Sequence, residues 1–254
     1  KFGFFVIHCI EVVELNKLTD RKLNIITAVI LTAIVSGVIA VCFLPGDVVV
    51  ISNGESYSAI YNGDRNGNTV ALMFNVYEGT EIVDGILNVL EEKHAKATFF
   101  VGGVWADDNI DTVIKILEKG HELGSHGYFH KDMAKLSEEG NKAELEPLHA
   151  LIKRHTGEEI KLFAPPSGSF SVTTLKVAEK FGYKTIMWSK DTIDWRDKNA
   201  KTIYSRATKN IAGGDFVLMH PKTHTLKALP DILDYYAKAG LRAGTVTECM
   251  GNLW

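Results

Sequence analysis

The chain of 254 residues carries three cysteines, Cys9, Cys42 and Cys249. They are too few and too scattered for a disulfide framework or a cysteine-rich zinc site. Neither sign of charge is in excess: 28 Lys+Arg stand against 31 Asp+Glu, a formal net charge of −3. Without a basic field, nucleic acid is excluded as the principal partner. No internal repeat is visible. A composition of 46% hydrophobic and 23% charged residues excludes wholesale disorder and fibrous architectures. What is present is apolar residues in uneven distribution. The mean hydropathy of +0.01 is high for a soluble enzyme with this much charge.

The excess is concentrated in residues 23–44, LNIITAVILTAIVSGVIAVCFL, which contain no charged residue. As a helix this run is about 33 Å long, enough for a bilayer core of roughly 30 Å. Lys17, Arg21 and Lys22 precede it, whereas Asp47 follows and the next basic residue is Arg65. The positive-inside rule then places residues 1–22 in the cytoplasm and the rest outside, a single-pass arrangement at the cell membrane. A cleaved signal peptide would have a shorter apolar region, about 7–15 residues, and a small-x-small site that is not found before Pro45. An uncleaved anchor is expected. Residues 1–10 are apolar but too short to span, and no function is read from them.

Residues 45–68 hold Asn53-Gly54, Asn62-Gly63 and Asn66-Gly67, three turn signals in a short stretch, and are expected to be an extracytoplasmic stem with one small strand near residues 48–51. From Thr69 onward strand-like and helical runs alternate. Strands are expected near residues 70–76, 97–101, 122–125, 162–164, 184–188, 216–219 and 241–246. Helices are expected near residues 82–94, 110–119, 137–155, 172–181, 201–211 and 226–239, with Pro147 breaking or kinking the third. This alternation implies a mostly parallel sheet with helices outside it, over a domain of residues 69–254. Asn75, His126, Pro165, Pro166, Asp191, Asp194 and His220 all fall at or just past the C-terminal ends of expected strands, where the sites of α/β folds lie.

Two of these positions suggest a metal. His126 and His130 are four residues apart in a loop opened by Gly127, and two imidazoles at that spacing can converge on one ion. The spacing alone is weakly specific, because His220 and His224 repeat it. The surrounding motifs are more specific: GHELGSHGYFH (residues 120–130), FAPPSGSF (163–170), WSKDTIDW (188–195) and VLMHP (217–221), preceded by ALMFNVYEGT (71–80) and KATFFVGG (96–103). In this order they resemble the polysaccharide deacetylases of carbohydrate esterase family four, the NodB-homology domain, and most of all its sporulation-type branch.

The resemblance implies a distorted (β/α) barrel of about seven strands. It implies hydrolysis of N-acetyl groups on the amino sugars of peptidoglycan or chitin, with a divalent ion, zinc or cobalt in its place. Position by position, His126 and His130 match the metal histidines and His220 the proton donor to the leaving amine. Asp194 matches the carboxylate behind that histidine and Trp195 a wall beside it. Pro165, Pro166, Ser167 and Gly168 match the groove-forming third motif.

Two positions depart from the pattern. Asn75 stands where the family has an aspartate as catalytic base, and an amide cannot take a proton at neutral pH. Ala164 stands where an arginine would pair with that base, and without a carboxylate at 75 such a charge would have no partner. Three readings stay open. Glu78 supplies the missing carboxylate as third ligand or base; Asp191 supplies it; or the domain has lost hydrolysis and only binds or scaffolds glycan. The expectation is a membrane-anchored, metal-dependent deacetylase of a cell-wall glycan.

Overall fold

The computed structural model describes residues 55–251, the strand β1 (Val49–Ser52), and, nearer the N-terminus, Ile25, Thr27, residues 29–33, Val35 and Ser36. The chain divides into two units, Lys1–Gly46 and Asp47–Trp254. In the first, the described residues are helical and exposed. Among the described residues no helix is long and apolar enough to cross a membrane. Most of the expected span at residues 23–44 lies outside the described residues, as does all of residues 1–22.

The second unit is an α/β sheet curled on itself. After β1 come β2 (Glu55–Ile60), β3 (Thr69–Val76), β4 (Thr98–Val101), β5 (Glu122–Ser125), β6 (Leu162–Phe163), β7 (Lys184–Ile186), β8 (Lys190–Asp191), β9 (Phe216–Met219) and β10 (Arg242–Gly244). Their order is β1-β2-β7-β6-β5-β4-β3-β9-β8, with β10 also on β3. Every pairing from β2 to β8 is parallel, and only β1 runs antiparallel to its neighbour. The expected barrel of parallel strands is therefore present as a curled, incompletely paired ring. One contact and one chain connection span the gap between the β2 side and the β8 side. An isolated antiparallel bridge joins Asn62 to Asp215. The chain itself runs from β7 to β8 through Met187, Trp188 and Ser189, a step of about 14 Å at full extension.

The stretch read as a stem is part of this unit. Ala59 and Ile60 pair with Thr185 and Ile186 of β7, and Met187 N–H donates to Ile60 O at 2.8 Å. Three Asn-Gly turns around a strand of only six residues disguised it as a linker.

Alternation along β3 sets up the interior. Val70, Leu72, Phe74 and Val76 join the large cluster beneath the helices, whereas Ala71 and Met73 join the inner cluster with Phe100, Leu162, Ala164, Ile186 and Phe216. Asn75 is in phase with Ala71 and Met73, so it faces inward at the C-terminal end of the strand.

Among the described residues seven helices cover the outer face: α1 (Thr80–Glu92), the short α2 (Gly103–Asp108), α3 (Ile110–Glu118), α4 (Glu138–Thr156), α5 (Val172–Lys180), α6 (Ala200–Thr208) and α7 (Thr223–Lys238), whereas the terminal α8 (Val246–Met250) packs Val246, Cys249 and Met250 into the inner cluster. Pro147 does not break α4, which runs unbroken from its Ser137 cap to Gly157 in the left-handed region. Leu145, Leu148 and Ile152 are buried on both sides of the proline, and that packing outweighs the lost hydrogen bond. The last expected strand, near residues 241–246, is shorter, because Thr245 caps α8 through a reciprocal pair with Glu248.

Candidate active site

At the C-terminal ends of the strands a cleft of about 360 Å³ is lined by Asn75, Tyr77, His126, His130, Ser167, Trp188, Asp191, Trp195, Leu218 and His220. Six of these were singled out from the sequence beyond Asn75 itself: the three histidines, Ser167, Asp191 and Trp195.

His220 follows β9 directly and is held from below by Asp194. Its Nδ1–H donates to Asp194 Oδ1 at 2.7 Å and its backbone N–H to Oδ2 at 2.7 Å. Thr225, in the first turn of α7, donates its hydroxyl to the same Oδ2 at 2.6 Å. Asp194 is fully buried. Burial alone would raise its carboxyl, but the donors from His220 and Thr225 outweigh it and hold the group below the usual aspartate range. An ionised Asp194 on Nδ1 leaves the opposite nitrogen, Nε2, as the one free to act in the cleft.

His126 and His130 sit in the loop after β5. The Nδ1–H of His126 donates to the Ala164 carbonyl at 2.8 Å, which fixes the tautomer and frees Nε2. Burial, with His130 and His220 nearby, pushes the His126 imidazole down to about 3, so it is neutral at pH 7. Burial likewise lowers His130, although its own backbone and Glu144 oppose the effect. The ring centroids of the pair lie 5.0 Å apart.

Two neutral imidazoles with free nitrogens suit a divalent cation of the zinc type, and the donor chemistry of the pair fits one. No carboxylate completes the set. Among the described residues no group of three or more His, Cys, Asp or Glu gathers as a metal would need. Glu78, expected as a third ligand or base, does not line the cleft. It is about half-exposed and forms an ion pair with Lys222 at the rim. The chain leaves β3 after Val76, which turns Tyr77 inward and Glu78 outward. Asp191 does line the cleft, but its Oδ1 accepts the Ile193 N–H at 2.7 Å, closing the loop after β8. Asn75 is 3% exposed, and its Oδ1 has no hydrogen-bond partner among the described residues.

The groove motif also differs from expectation. Pro165 and Pro166 are buried, and only Ser167, exposed and in the left-handed region (φ 55°), reaches the cleft. Gly168 lies under Trp188, where a Cβ would come 2.8 Å from the indole. The sequence reading missed Tyr77, Trp188 and Leu218. Tyr77 was legible, because it is two residues from Asn75 and shares its face. Its ring lies 4.6 Å from that of His130 and 6.3 Å from those of His126 and His220.

A curled parallel sheet with an Asp-backed histidine, a histidine pair and aromatic walls at its C-terminal edge defines a glycan deacetylase scaffold. The chain belongs to the polysaccharide deacetylase family, whose model matches residues 62–186. This is a family of hydrolases acting on carbon–nitrogen amide bonds. YlxY, an uncharacterised protein of Bacillus subtilis, is 36% identical over 191 residues, covering 75% of this chain and 60% of YlxY. A peptidoglycan-N-acetylglucosamine deacetylase of Bacillus cereus is 32% identical over 182 residues, 71% of this chain and 66% of that protein. The chain thus spans about 60% of the length of YlxY. Among solved structures, wild-type BA3943 from Bacillus anthracis, described as a CE4 family pseudoenzyme, superposes with a TM-score of 0.75 at 35% identity, over 78% of this chain and 70% of that one. A BA3943 mutant with restored enzymatic activity has the same TM-score at 33% identity, over 78% of this chain and 73% of that one.

Proposed function

We propose that this chain is a metal-dependent N-deacetylase of a cell-wall amino-sugar polymer, peptidoglycan or chitin-like, with the cleft as its active site. The observation that carries this is the His220–Asp194–Thr225 arrangement. An amide leaves only if its nitrogen is protonated, and His220 Nε2 is the group suited to deliver that proton. Asp194 keeps the imidazole oriented and stabilises its charged form. His126 and His130 would hold a divalent cation, zinc or cobalt. When bound, that cation supplies Lewis acidity to the acetamide carbonyl and lowers the pKa of water. Trp195 and Trp188 offer flat apolar faces to a sugar ring, and Ser167 offers an exposed hydroxyl beside them. Asp191 is the carboxylate among the cleft-lining residues, with its Oδ1 on the Ile193 N–H.

Residues 23–44 are read as a membrane anchor that sets the domain on the outer side. Their freedom from charge and the basic residues before them support this.

A second reading, a glycan-binding domain without hydrolysis, is favoured by Asn75 and Ala164 and by the diversion of Glu78 to Lys222. Acetate release from N-acetylated chitin oligomers and peptidoglycan, at saturating zinc and after chelation, separates the two. Zinc-dependent acetate that disappears in His220→Ala supports hydrolysis. Glycan binding with no acetate supports the second reading and overturns the first.

A further inference from the structure

Behind the histidine loop stands a carboxylate that the cleft does not use. Glu144, on α4, is 1% exposed. Its Oε2 accepts the Phe129 N–H at 2.9 Å, while Oε1 is buried with no hydrogen-bond partner among the described residues. Burying an incompletely paired carboxylate is costly, and a leucine of similar size would avoid that cost. Packing therefore does not account for its presence.

Its position suggests what does. The loop from His126 to His130 is gripped on two sides. From α2, Gly103 N–H donates to Gly127 O at 2.9 Å and Val104 N–H to Tyr128 O at 3.0 Å. Gly103 must lack a side chain, because a Cβ there would lie 2.1 Å from the Tyr128 ring. From α4, Glu144 takes the other end of that second peptide unit, the Phe129 N–H. Gly127 has φ 74°, and a Cβ on it would approach Glu144 Oε2 to 2.9 Å. Two consecutive peptide units, 127–128 and 128–129, are thus fixed, the second from both sides, and the turn ends at His130 in the left-handed region, φ 58°. The His126 ring is set independently by Ala164 O. His130 follows directly on the peptide that Glu144 holds from one side and α2 from the other.

The other carboxylates around the site are engaged elsewhere: Glu78 with Lys222, Asp191 with Ile193 and Asp194 with His220. We infer that Glu144 is the positioning carboxylate of His130. It clamps the loop and stands behind the two imidazoles, to whose front the first motif brings no carboxylate. This rests on the reading of His126 and His130 as a metal-binding pair and deepens it.

The test uses the full chain freed of metal and titrated with zinc against a chromophoric chelator, and with cobalt(II) followed by its visible absorption. Glu144→Gln keeps an acceptor for Phe129 N–H and removes the charge; Glu144→Leu removes both. Zinc affinity is expected to fall about tenfold in the first and further in the second, within the range typical of ligand-orienting groups. The cobalt spectrum is expected to change while circular dichroism stays native. Wild-type affinity in a folded Glu144→Gln overturns the proposal. If His126→Ala/His130→Ala binds zinc as tightly as the wild-type chain, the metal-pair reading itself falls, and the proposal with it. If the leucine variant does not fold, the glutamine variant decides.

Discussion

Asp194 grips His220 twice, through the imidazole Nδ1 and through the backbone N–H, both at 2.7 Å. The ring therefore cannot turn without breaking a hydrogen bond to a buried carboxylate, and its orientation is set before any substrate arrives. Asp194→Asn keeps the shape but replaces an acceptor by an amide that can donate. Acetate release in this variant is expected to fall at least 100-fold, the range in which a general acid acts. A loss below fivefold would remove the dyad from the reaction.

Asn75 is nearly buried and has no cation beside it, since Ala164 occupies the arginine position inside the inner apolar cluster. A carboxylate placed there by Asn75→Asp would be held above the usual range by burial. The variant is expected to release acetate faster than wild type, with a rate that climbs with pH through that raised value. A flat profile above pH 5 would mean the new carboxylate is already paired. Adding Ala164→Arg forces a long charged side chain into a closed cluster and should lower stability by about 1–3 kcal/mol, read as a lower urea midpoint.

Glu78 lies at the rim in an exposed pair with Lys222. Glu78→Gln is expected to leave zinc affinity and acetate release unchanged and to alter stability by less than about 0.5 kcal/mol. A tenfold drop in zinc affinity would return Glu78 to the metal.

The metal-free domain should weaken in acid for an identifiable reason. Burial holds His126 at about 3 against an ordinary 6.5, so between those values the unfolded chain binds a proton that the folded chain refuses. The stabilising contribution is complete above pH 6.5 and is lost progressively as pH falls towards 3. The urea midpoint in chelator is expected to drop between pH 7 and pH 5, and less steeply in His126→Asn than in wild type. Equal slopes would assign the acid sensitivity to other groups.

The alternation of strands and helices and most of the cleft were legible because both rest on local pattern. Buried strands such as Phe216–Met219 are short apolar runs, and His220 and His126 are the polar residues directly after β9 and β5. What was illegible depends on partners distant in sequence. β2 shows its character only against β7, and β8 has two residues, too few for any period. Glu78 goes to the rim and Lys222 because β3 ends at Val76, a boundary that no residue marks. Glu144 has no signal at all: a glutamate in a charged helix looks solvated until the histidine loop is folded against it.

The step from β7 to β8 has one more consequence. Around most of the ring a strand is kept in place by a ladder of hydrogen bonds, but at this point continuity is provided by the covalent chain, with Met187 tied to Ile60 and Ser189 to Phe216. Trp188, midway along that tether, is also a wall of the cleft. A polymer strand threading past it presses on the seam of the scaffold, so occupancy of the groove should slow amide exchange at Met187 and Ser189 even though neither side chain lines the cleft.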